Sequence, residues 1–231
     1  MLGDVSIFSI NVGMFNSAIK NGGTEAQKAA YLPRLASGDI IGAFALTEPD
    51  AGSDAASLRT TAVRDGAHYG INGTQRFITN APEASIFTVM ARTDPEGQGA
   101  GAISAFIVER GTHGLSLGPT DKKMGQRGAH TCDVIFENCR VPVQNLIGNE
   151  GDGFKIAMMT LDRTRPGVGA MATGIARAAF EFATNYSKER IQFGVPIAMH
   201  QAIQFMIADM ATEIEASRLL TWQSAVLLDQ G

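Results

Sequence analysis

The stretch Thr61–Asn80, TAVRDGAHYGINGTQRFITN, decides the fold class. Its short β-branched segments are separated by two pairs of turn residues, Asp65-Gly66 and Asn72-Gly73. Both pairs favour hairpin turns, because aspartate, asparagine and glycine tolerate the positive φ of type I′ turns. We therefore expect two hairpins here, with antiparallel strands on either side of each.

Similar apolar segments recur from Asp39 to about Leu146, and turn residues separate them. They are IIGAFAL, RTTAV, HYGI, QRFIT, IFTVMA, ISAFIV and DVIFE. No amphipathic helix of ten residues lies between them. This favours an antiparallel sandwich or barrel over a parallel sheet with helical crossovers.

Helical patterns precede the β region. A short helical section opens the chain. Thr24 and Gln27 then form a capping-box pair, which predicts a helix through about Leu35 with Gly38 as its stop signal.

A helical period also follows the β region. From Gly153 one long helix is expected; Pro166 should kink or divide it, and Gly194 and Pro196 should end it. A second apolar stripe runs towards Leu228 through Met199, Ile203, Met206, Met210 and Ile214. Two such helices are half of a helical bundle. We infer from this half that the sequence is a fragment, or that the missing helices come from elsewhere.

Composition excludes several classes. Of 231 residues, 45% are hydrophobic and 18% charged, so the chain is not disordered. A net charge of −4 does not indicate the basic surface that nucleic-acid binding requires. The sequence has no run of 18 apolar residues, the length that would span a membrane. The two cysteines, Cys132 and Cys139, fit a reducing compartment.

The sequence contains a partial serine-hydrolase motif and several potential metal ligands, and neither indicates a site. Gly114-Leu-Ser-Leu-Gly118 matches the nucleophile elbow of serine hydrolases, which needs a strand, a sharp turn and then a helix. Pro119 follows it, so a helix does not begin there. The four histidines and two cysteines lack metal-ligand spacing, and we expect no metal.

The segment Ala45–Asp54, ALTEPDAGSD, is the most informative. It reads as a strand end that turns into a tight loop, with hydroxyl groups and a glycine that lets backbone approach a ligand. Taken alone, it is equally typical of an ordinary turn. Other segments resolve the choice when they are read with it.

Taken together, these segments resemble the acyl-CoA dehydrogenase family, and the resemblance covers essentially the whole chain. The companion matches occur in order: ING (71–73) with FITN (77–80), MGQR (124–127), VIFEN (134–138) with VP (141–142), GDGF (151–154), LDRTR (161–165), ERIQFG (189–194) and HQ (200–201). The LDRTR segment and the proline after it are most similar to the medium-chain-like branch.

The resemblance implies an α+β fold in three parts. Residues 1–38 would be the end of an N-terminal helical domain and 39–150 a middle antiparallel β domain. Residues 151–231 would be the first two helices of an incomplete C-terminal bundle. The chain would then be truncated at both ends.

The resemblance also implies FAD as the cofactor. Phe44, Leu46 and Thr47 would lie against the ring system, with Gly52 and Ser53 near the phosphates and the CoA ester. Phe77 would cover the flavin and Thr79 would bind near N5. The full set of cofactor-binding positions is Phe44, Leu46, Thr47, Gly52, Ser53, Phe77, Ile78, Thr79, Arg190, Gln192, Phe193, His200 and Gln201, of which the last five would reach the FAD of a neighbouring subunit.

The implied reaction is oxidation of acyl-CoA to trans-2-enoyl-CoA. The substrate positions would be Ser53, Leu161, Asp162, Thr164 and Arg165. Most family members place the catalytic glutamate later in the bundle, and a minority place it where this chain has Thr164. We therefore expect no catalytic residue within these 231 residues.

Partners and alternatives follow from the same resemblance. It implies an electron-transferring flavoprotein as acceptor, a homotetramer or homodimer, and a bacterial cytoplasmic or mitochondrial matrix location. One alternative is a flavin oxidase or monooxygenase on this fold, such as a nitroalkane oxidase, against which the Asp162 and Arg165 match argues. Another is a non-catalytic paralogue that binds FAD or acyl-CoA.

Overall fold

The computed structural model describes residues 14–94, 96–97 and 99–230. The helical section expected at the start of the chain lies partly outside these residues. The chain divides into two compact units, one ending at Asp162 and the other beginning at Arg163. Each is described by itself.

The first unit begins with two helices, α1 (Asn16–Gly22) and α2 (Glu25–Ser37). The predicted capping box is confirmed: the Thr24 hydroxyl accepts the Gln27 N–H at 3.2 Å, and the Gln27 side chain accepts the Thr24 N–H at 2.9 Å. Gly38 ends α2 in the left-handed conformation, with φ 82°, as its stop signal predicts.

Eight strands follow these helices and form one sheet. They are β1 (Gly42–Ala45), β2 (Thr61–Asp65), β3 (His68–Thr79), β4 (Ile86–Arg92), β5 (Ile103–Glu109), β6 (Leu115–Leu117), β7 (Thr131–Pro142) and β8 (Leu146–Ile147). The order is β6-β7-β3-β2-β4-β5-β8, with β1 also paired to β4. The expected β region is therefore confirmed.

The sheet is mixed, so the expectation of a purely antiparallel domain was wrong in part. Strand β1 pairs with β4 in parallel, from Gly42 opposite Ile86 to Ala45 opposite Val89. Strand β2 also meets β4 in parallel, at Thr61 and Arg92. The intervening connections contain a hairpin and loops instead of the crossover helix by which parallel pairs are usually recognised.

The two expected hairpins had different outcomes. Asp65-Gly66 is confirmed, because Asp65 pairs with His68 across the turn and Gly66 has φ 58°. Asn72-Gly73 was wrong, since β3 runs straight through both residues. The Asn72 side-chain oxygen instead accepts the N–H of Asn138 at 2.7 Å, where β7 bulges opposite it.

Two apolar clusters stabilise the first unit. One lies on one face of the central strands and includes Phe87, Phe106 and Val134. The other lies between the opposite face and the helices, and includes Phe15, Leu35 and Met90. Strands β1, β4 and β5 are buried on both faces, which explains why they read as continuous apolar runs.

The second bundle helix is confirmed, and the first is undivided and ends a few residues earlier than expected. Helix α3 (Gly153–Glu189) runs through Pro166 without being divided, because one lost hydrogen bond does not end a helix of 37 residues. It ends before the short strands β9 (Ile191–Gln192) and β10 (Val195–Pro196), not at Gly194. Helix α4 (Gln201–Gln230) follows.

In the second unit, the later part of α3 packs antiparallel to α4. A Cβ added at Gly169 would lie 3.1 Å from Oγ1 of Thr221. Gly169 lies near the start of the part of α3 that belongs to this unit, and Thr221 lies in the second half of α4, as an antiparallel pair requires. Phe205, Leu219 and Trp222 of α4 are each more than half exposed. No helix among the described residues is long and apolar enough to cross a membrane.

Both cysteines are buried and free. Burial is the main cause that raises the pKa of each thiol to about 11, so the reactive thiolate is scarce at neutral pH. We expect Ellman's reagent at pH 8 to react slowly with the native protein and with two thiols per chain after unfolding in guanidinium. Rapid reaction of either thiol before unfolding would contradict this burial.

Candidate functional site

Glu48 organises the loop between β1 and β2. Its side chain is 7% exposed, and its carboxylate accepts the main-chain N–H groups of Arg59 and Thr60, each at 2.7 Å. Glu48 and Ala51 also exchange main-chain hydrogen bonds of 2.9 and 3.3 Å around the intervening turn. A buried carboxylate needs such donors, so Glu48 clamps both ends of the loop.

Arg92 holds the same loop from β4. Its guanidinium donates to the carbonyl oxygens of Ala56 at 3.1 Å, Leu58 at 3.2 Å and Gly97 at 2.8 Å. The exposed tip of the loop carries Gly52 and Ser53. A Cβ at Gly52 would meet no described heavy atom within 4 Å, so bare backbone faces open space there.

A β-bulge near the end of β3 presents Phe77. Gln75 pairs with Val134 and Ile78 with Cys132, so two residues of β3 lie opposite the single residue Asp133. Phe77 has φ 57°, which is unfavourable for an aromatic residue, and its side chain is 58% exposed. Strained backbone of this kind often occurs at functional sites.

A hydrogen bond joins the bulge to the loop. The N–H of Arg76 donates to the carbonyl oxygen of Thr47 at 2.7 Å. Thr47 and Thr79 are both half-buried, and Thr79 lies two residues after Phe77 on the same strand. The structure therefore places Thr47 beside the bulge that carries Phe77, with Thr79 two residues further along the strand.

Three of the predicted cofactor residues have buried side chains. Phe44 is 8% exposed and Leu46 is 9% exposed, and both pack in the cluster beneath the helices. Ile78 is 2% exposed and packs in the other cluster. These side chains place the backbone of the site and offer little surface themselves.

The second unit collects five predicted residues around β9 and β10. Phe193 and Gly194 form the turn with φ values of 55° and 77°. The Phe193 ring is 95% exposed and meets the His200 ring edge-on, with centroids 5.8 Å apart. Arg190 and Gln192 are exposed beside it, and Gln201 begins α4.

The predicted substrate residues other than Ser53 lie along α3. Leu161 and Asp162 are the last residues of the first unit, and Thr164 and Arg165 belong to the second. Asp162 and Arg165 are exposed, whereas Leu161 and Thr164 are half-buried. The structure thus has all four residues in the single helix α3, as expected.

The first unit fits a flat aromatic cofactor. An exposed phenyl ring offers a stacking surface, the two threonine hydroxyls can bind ring nitrogen and oxygen atoms, and the open backbone at Gly52 admits a bulky anionic group. These donors match the demands of an isoalloxazine ring. The described residues hold no cluster of three or more histidine, cysteine or carboxylate side chains for a metal.

Glu48 and Arg76 lie in segments that the sequence singles out, but the sequence assigns neither a role, and Arg92 lies outside those segments. The signal for Glu48 was present, because a glutamate beside a buried strand end must find donors. Arg76 and Arg92 depend on register and on contacts distant in sequence, which a local pattern does not show.

Three domain profiles match the chain in order. Residues 2–39 match the acyl-CoA dehydrogenase N-terminal domain, 43–139 the middle domain and 151–231 the C-terminal domain. The chain belongs to the acyl-CoA dehydrogenase family. Its place in the medium-chain-like branch stays a prediction.

Individual family members are closely similar. An acyl-CoA dehydrogenase of Bacillus subtilis is 50% identical over 97% of this chain and 59% of its own length. The acryloyl-CoA reductase (NADH) of Anaerotignum propionicum is 50% identical over 100% of this chain and 58% of its own. The chain thus spans a little over half the length of these relatives.

Solved structures share the family fold. Butyryl-CoA dehydrogenase from Megasphaera elsdenii has a TM-score of 0.92 and 45% identity, over 96% of this chain and 58% of that one. A chain in a structure of the electron transferring flavoprotein of Acidaminococcus fermentans has a TM-score of 0.94 and 50% identity, over 98% of this chain and 59% of that one.

Proposed function

We propose that the complete protein is an FAD-dependent acyl-CoA dehydrogenase that converts acyl-CoA to trans-2-enoyl-CoA. The observation that carries the proposal is the hydrogen bond from Arg76 to Thr47, which joins the Thr47 loop to the Phe77 bulge. Family membership supports the same reaction. The three-domain division at residues 1–38, 39–150 and 151–231 is part of the proposal.

In this proposal each part of the first unit has a task. Phe77 covers the flavin, Thr47 and Thr79 bind polar atoms of its ring, and Gly52 and Ser53 face phosphate and thioester groups. FAD when bound supplies the acceptor at N5 for the hydride leaving the substrate β-carbon. Glu48 keeps the loop in place for all of these contacts.

On the substrate side, Asp162 and Arg165 would bind the CoA moiety, Arg165 because guanidinium pairs well with phosphate. Leu161 and Thr164 are the other two substrate-binding positions on this helix in the proposal. The α-proton would be removed by a glutamate outside these residues, whose pKa a dry pocket would raise. The electron acceptor would be an electron-transferring flavoprotein, and the assembly a homotetramer or homodimer.

A steady-state assay tests this function. The complete protein would be given a series of acyl-CoA lengths with a dye acceptor, and enoyl-CoA would be measured. We expect turnover that depends on both FAD and acyl-CoA. A protein that carries FAD but produces no enoyl-CoA from any length would favour the non-catalytic paralogue.

A second candidate is the reverse direction, reduction of an enoyl-CoA. The observation in its favour is the 50% identity to a relative named as an acryloyl-CoA reductase. The same residues would serve, because a site that stabilises the transition state does so in both directions. NADH-dependent consumption of enoyl-CoA, faster than dye-linked oxidation of acyl-CoA, would select this candidate.

Arg190 is predicted to bind FAD across a subunit interface. In the complete protein, Arg190→Ala should lower both the flavin content and the stability of the oligomer, because a ligand at an interface stabilises that interface by mass action. Arg177→Ala is the matched control, since Arg177 is exposed and pairs with Glu181 of its own helix at 2.7 Å. Full flavin content and an unchanged oligomer in Arg190→Ala would contradict the assignment.

Thr164 tests the position of the missing base. FAD-loaded protein limited to these 231 residues should bleach slowly with acyl-CoA, because loss of a general base typically costs about 10²–10⁴-fold. Thr164→Glu should restore part of the rate, and Thr164→Gln, of similar size but unable to accept the proton, should not. Rapid bleaching without substitution would show that a base lies within these residues.

A further inference from the structure

Arg76 makes three contacts at the bulge, with Thr47, Asp133 and the Phe77 ring. Its N–H binds the Thr47 carbonyl oxygen at 2.7 Å. Its Nε lies 3.9 Å from Oδ1 of Asp133, the single residue opposite the bulge. Its guanidinium carbon lies 5.0 Å from the centroid of the Phe77 ring, within the range of a cation–π contact.

These contacts answer a structural problem that the bulge creates. Phe77 leaves the regular strand with a positive φ, and its side chain is 58% exposed, so more than half of it is not held by packing within the described residues. A long arginine side chain alone would also sample several rotamers. The Asp133 carboxylate, 3.9 Å from Nε, favours the rotamers that keep the guanidinium near the ring, whose centroid lies 5.0 Å from the guanidinium carbon.

We propose that Arg76 is a positioning residue that fixes the Phe77 ring for the flavin and places a positive charge beside it. The effects on the flavin, which we call the flavin half of the inference, rest on the proposed function. The positioning of the ring stands on contacts within the first unit. Asp133 acts one step further away, through the guanidinium.

The proposal separates two properties of Arg76. The planar guanidinium can stack on a ring, which a lysine ammonium does less well, whereas both carry the same charge. Stacking should control how firmly the ring covers the flavin. The charge should favour the electron-rich reduced cofactor, because opposite charges attract.

The first measurement needs no cofactor. In the complete protein without FAD, 4-fluorophenylalanine is placed at position 77 and its ¹⁹F resonance is recorded. We expect Arg76→Met to shift and sharpen the resonance, since the ring gains mobility, with smaller changes in Asp133→Asn and Arg76→Lys. Arg140→Met is the matched control, because Arg140 lies on β7 and binds Nδ1 of His68 at 3.2 Å, far along β3 from the bulge.

The second measurement uses FAD-loaded protein with the natural Phe77. We expect Arg76→Met to lower the flavin midpoint potential and to increase quenching of flavin fluorescence by iodide. Arg76→Lys should keep the potential and still increase the quenching. Flavin content and the behaviour of Arg140→Met should match the unsubstituted protein.

The outcomes are distinct. A ¹⁹F resonance in Arg76→Met identical to that of the unsubstituted protein would overturn the positioning of the ring. An altered resonance with potential and quenching equal to the Arg140→Met control would overturn the flavin half. An unsubstituted protein that binds no FAD would overturn the proposed function and that half together, while the ¹⁹F comparison would still decide the positioning.

Discussion

Glu48→Gln is expected to lower the free energy of unfolding by about 2 kcal/mol or more. The two carboxylate oxygens each accept one main-chain N–H group in a buried setting, and an amide in the same position has an oxygen for only one of these sites. The other N–H would face the amide NH₂ group. Because both ends of the loop depend on this clamp, FAD affinity should fall with stability.

The measurement is urea unfolding of the complete protein, followed by FAD titration under native conditions. Glu137→Gln is the matched control, because Glu137 is an exposed glutamate on β7 of the same sheet. We expect the control to change stability by less than about 0.5 kcal/mol. Equal unfolding midpoints for the two variants would mean that the Glu48 clamp contributes nothing.

Gly153→Ala is expected to lower the free energy of unfolding by about 1–3 kcal/mol, because the added methyl group overpacks the site. A Cβ at Gly153 would lie 2.3 Å from the carbonyl carbon of Ser104 and 2.7 Å from the N of Ala105, so it would meet backbone of β5. Backbone in a central strand cannot move aside as a flexible side chain could. The start of α3 would therefore have to shift, and α3 carries the predicted substrate residues.

Gly174→Ala gives the contrasting control within the same helix. No described heavy atom lies within 4 Å of a Cβ there, and alanine is a better helix former than glycine by about 1 kcal/mol. Thermal unfolding of both variants should show a lower Tm for Gly153→Ala and an unchanged or higher one for Gly174→Ala. A Gly153→Ala protein with unchanged Tm and acyl-CoA affinity would contradict close docking of α3 onto β5.

The features that sequence predicted well are those encoded by neighbouring residues. The capping box at Thr24, the stop at Gly38 and the hairpin at Asp65-Gly66 each depend on a few adjacent side chains, and each is confirmed. The segments that resemble the family are also local. Their order predicted membership, which the three domain matches confirm.

The features that sequence missed depend on distant partners. Asn72-Gly73 looks like a hairpin turn, but the Asn72 side chain binds Asn138 across the sheet at 2.7 Å. The parallel pairing of β1 with β4 joins strands that are roughly forty residues apart, and no local sequence pattern indicates it. The bulge that exposes Phe77 likewise appears only when the register with β7 is known.

The same contrast applies within the candidate site. Through the resemblance, the residue types predict Thr47, Phe77 and Thr79 as cofactor positions. They did not show that Phe44 and Leu46 are packed into the core, since an apolar residue near a strand end can face either way. They also gave no reason to connect Arg76 with Thr47, which only the folded backbone brings together.

An anaerobic titration of the FAD-loaded complete protein with acyl-CoA tests the proposed reaction most directly. We expect loss of the oxidised-flavin absorbance band, with one trans-2-enoyl-CoA formed per flavin reduced. Phe77→Ala should retain FAD binding in part and bleach more slowly. Oxidised flavin that persists at saturating acyl-CoA, across short, medium and long chains, would contradict the account.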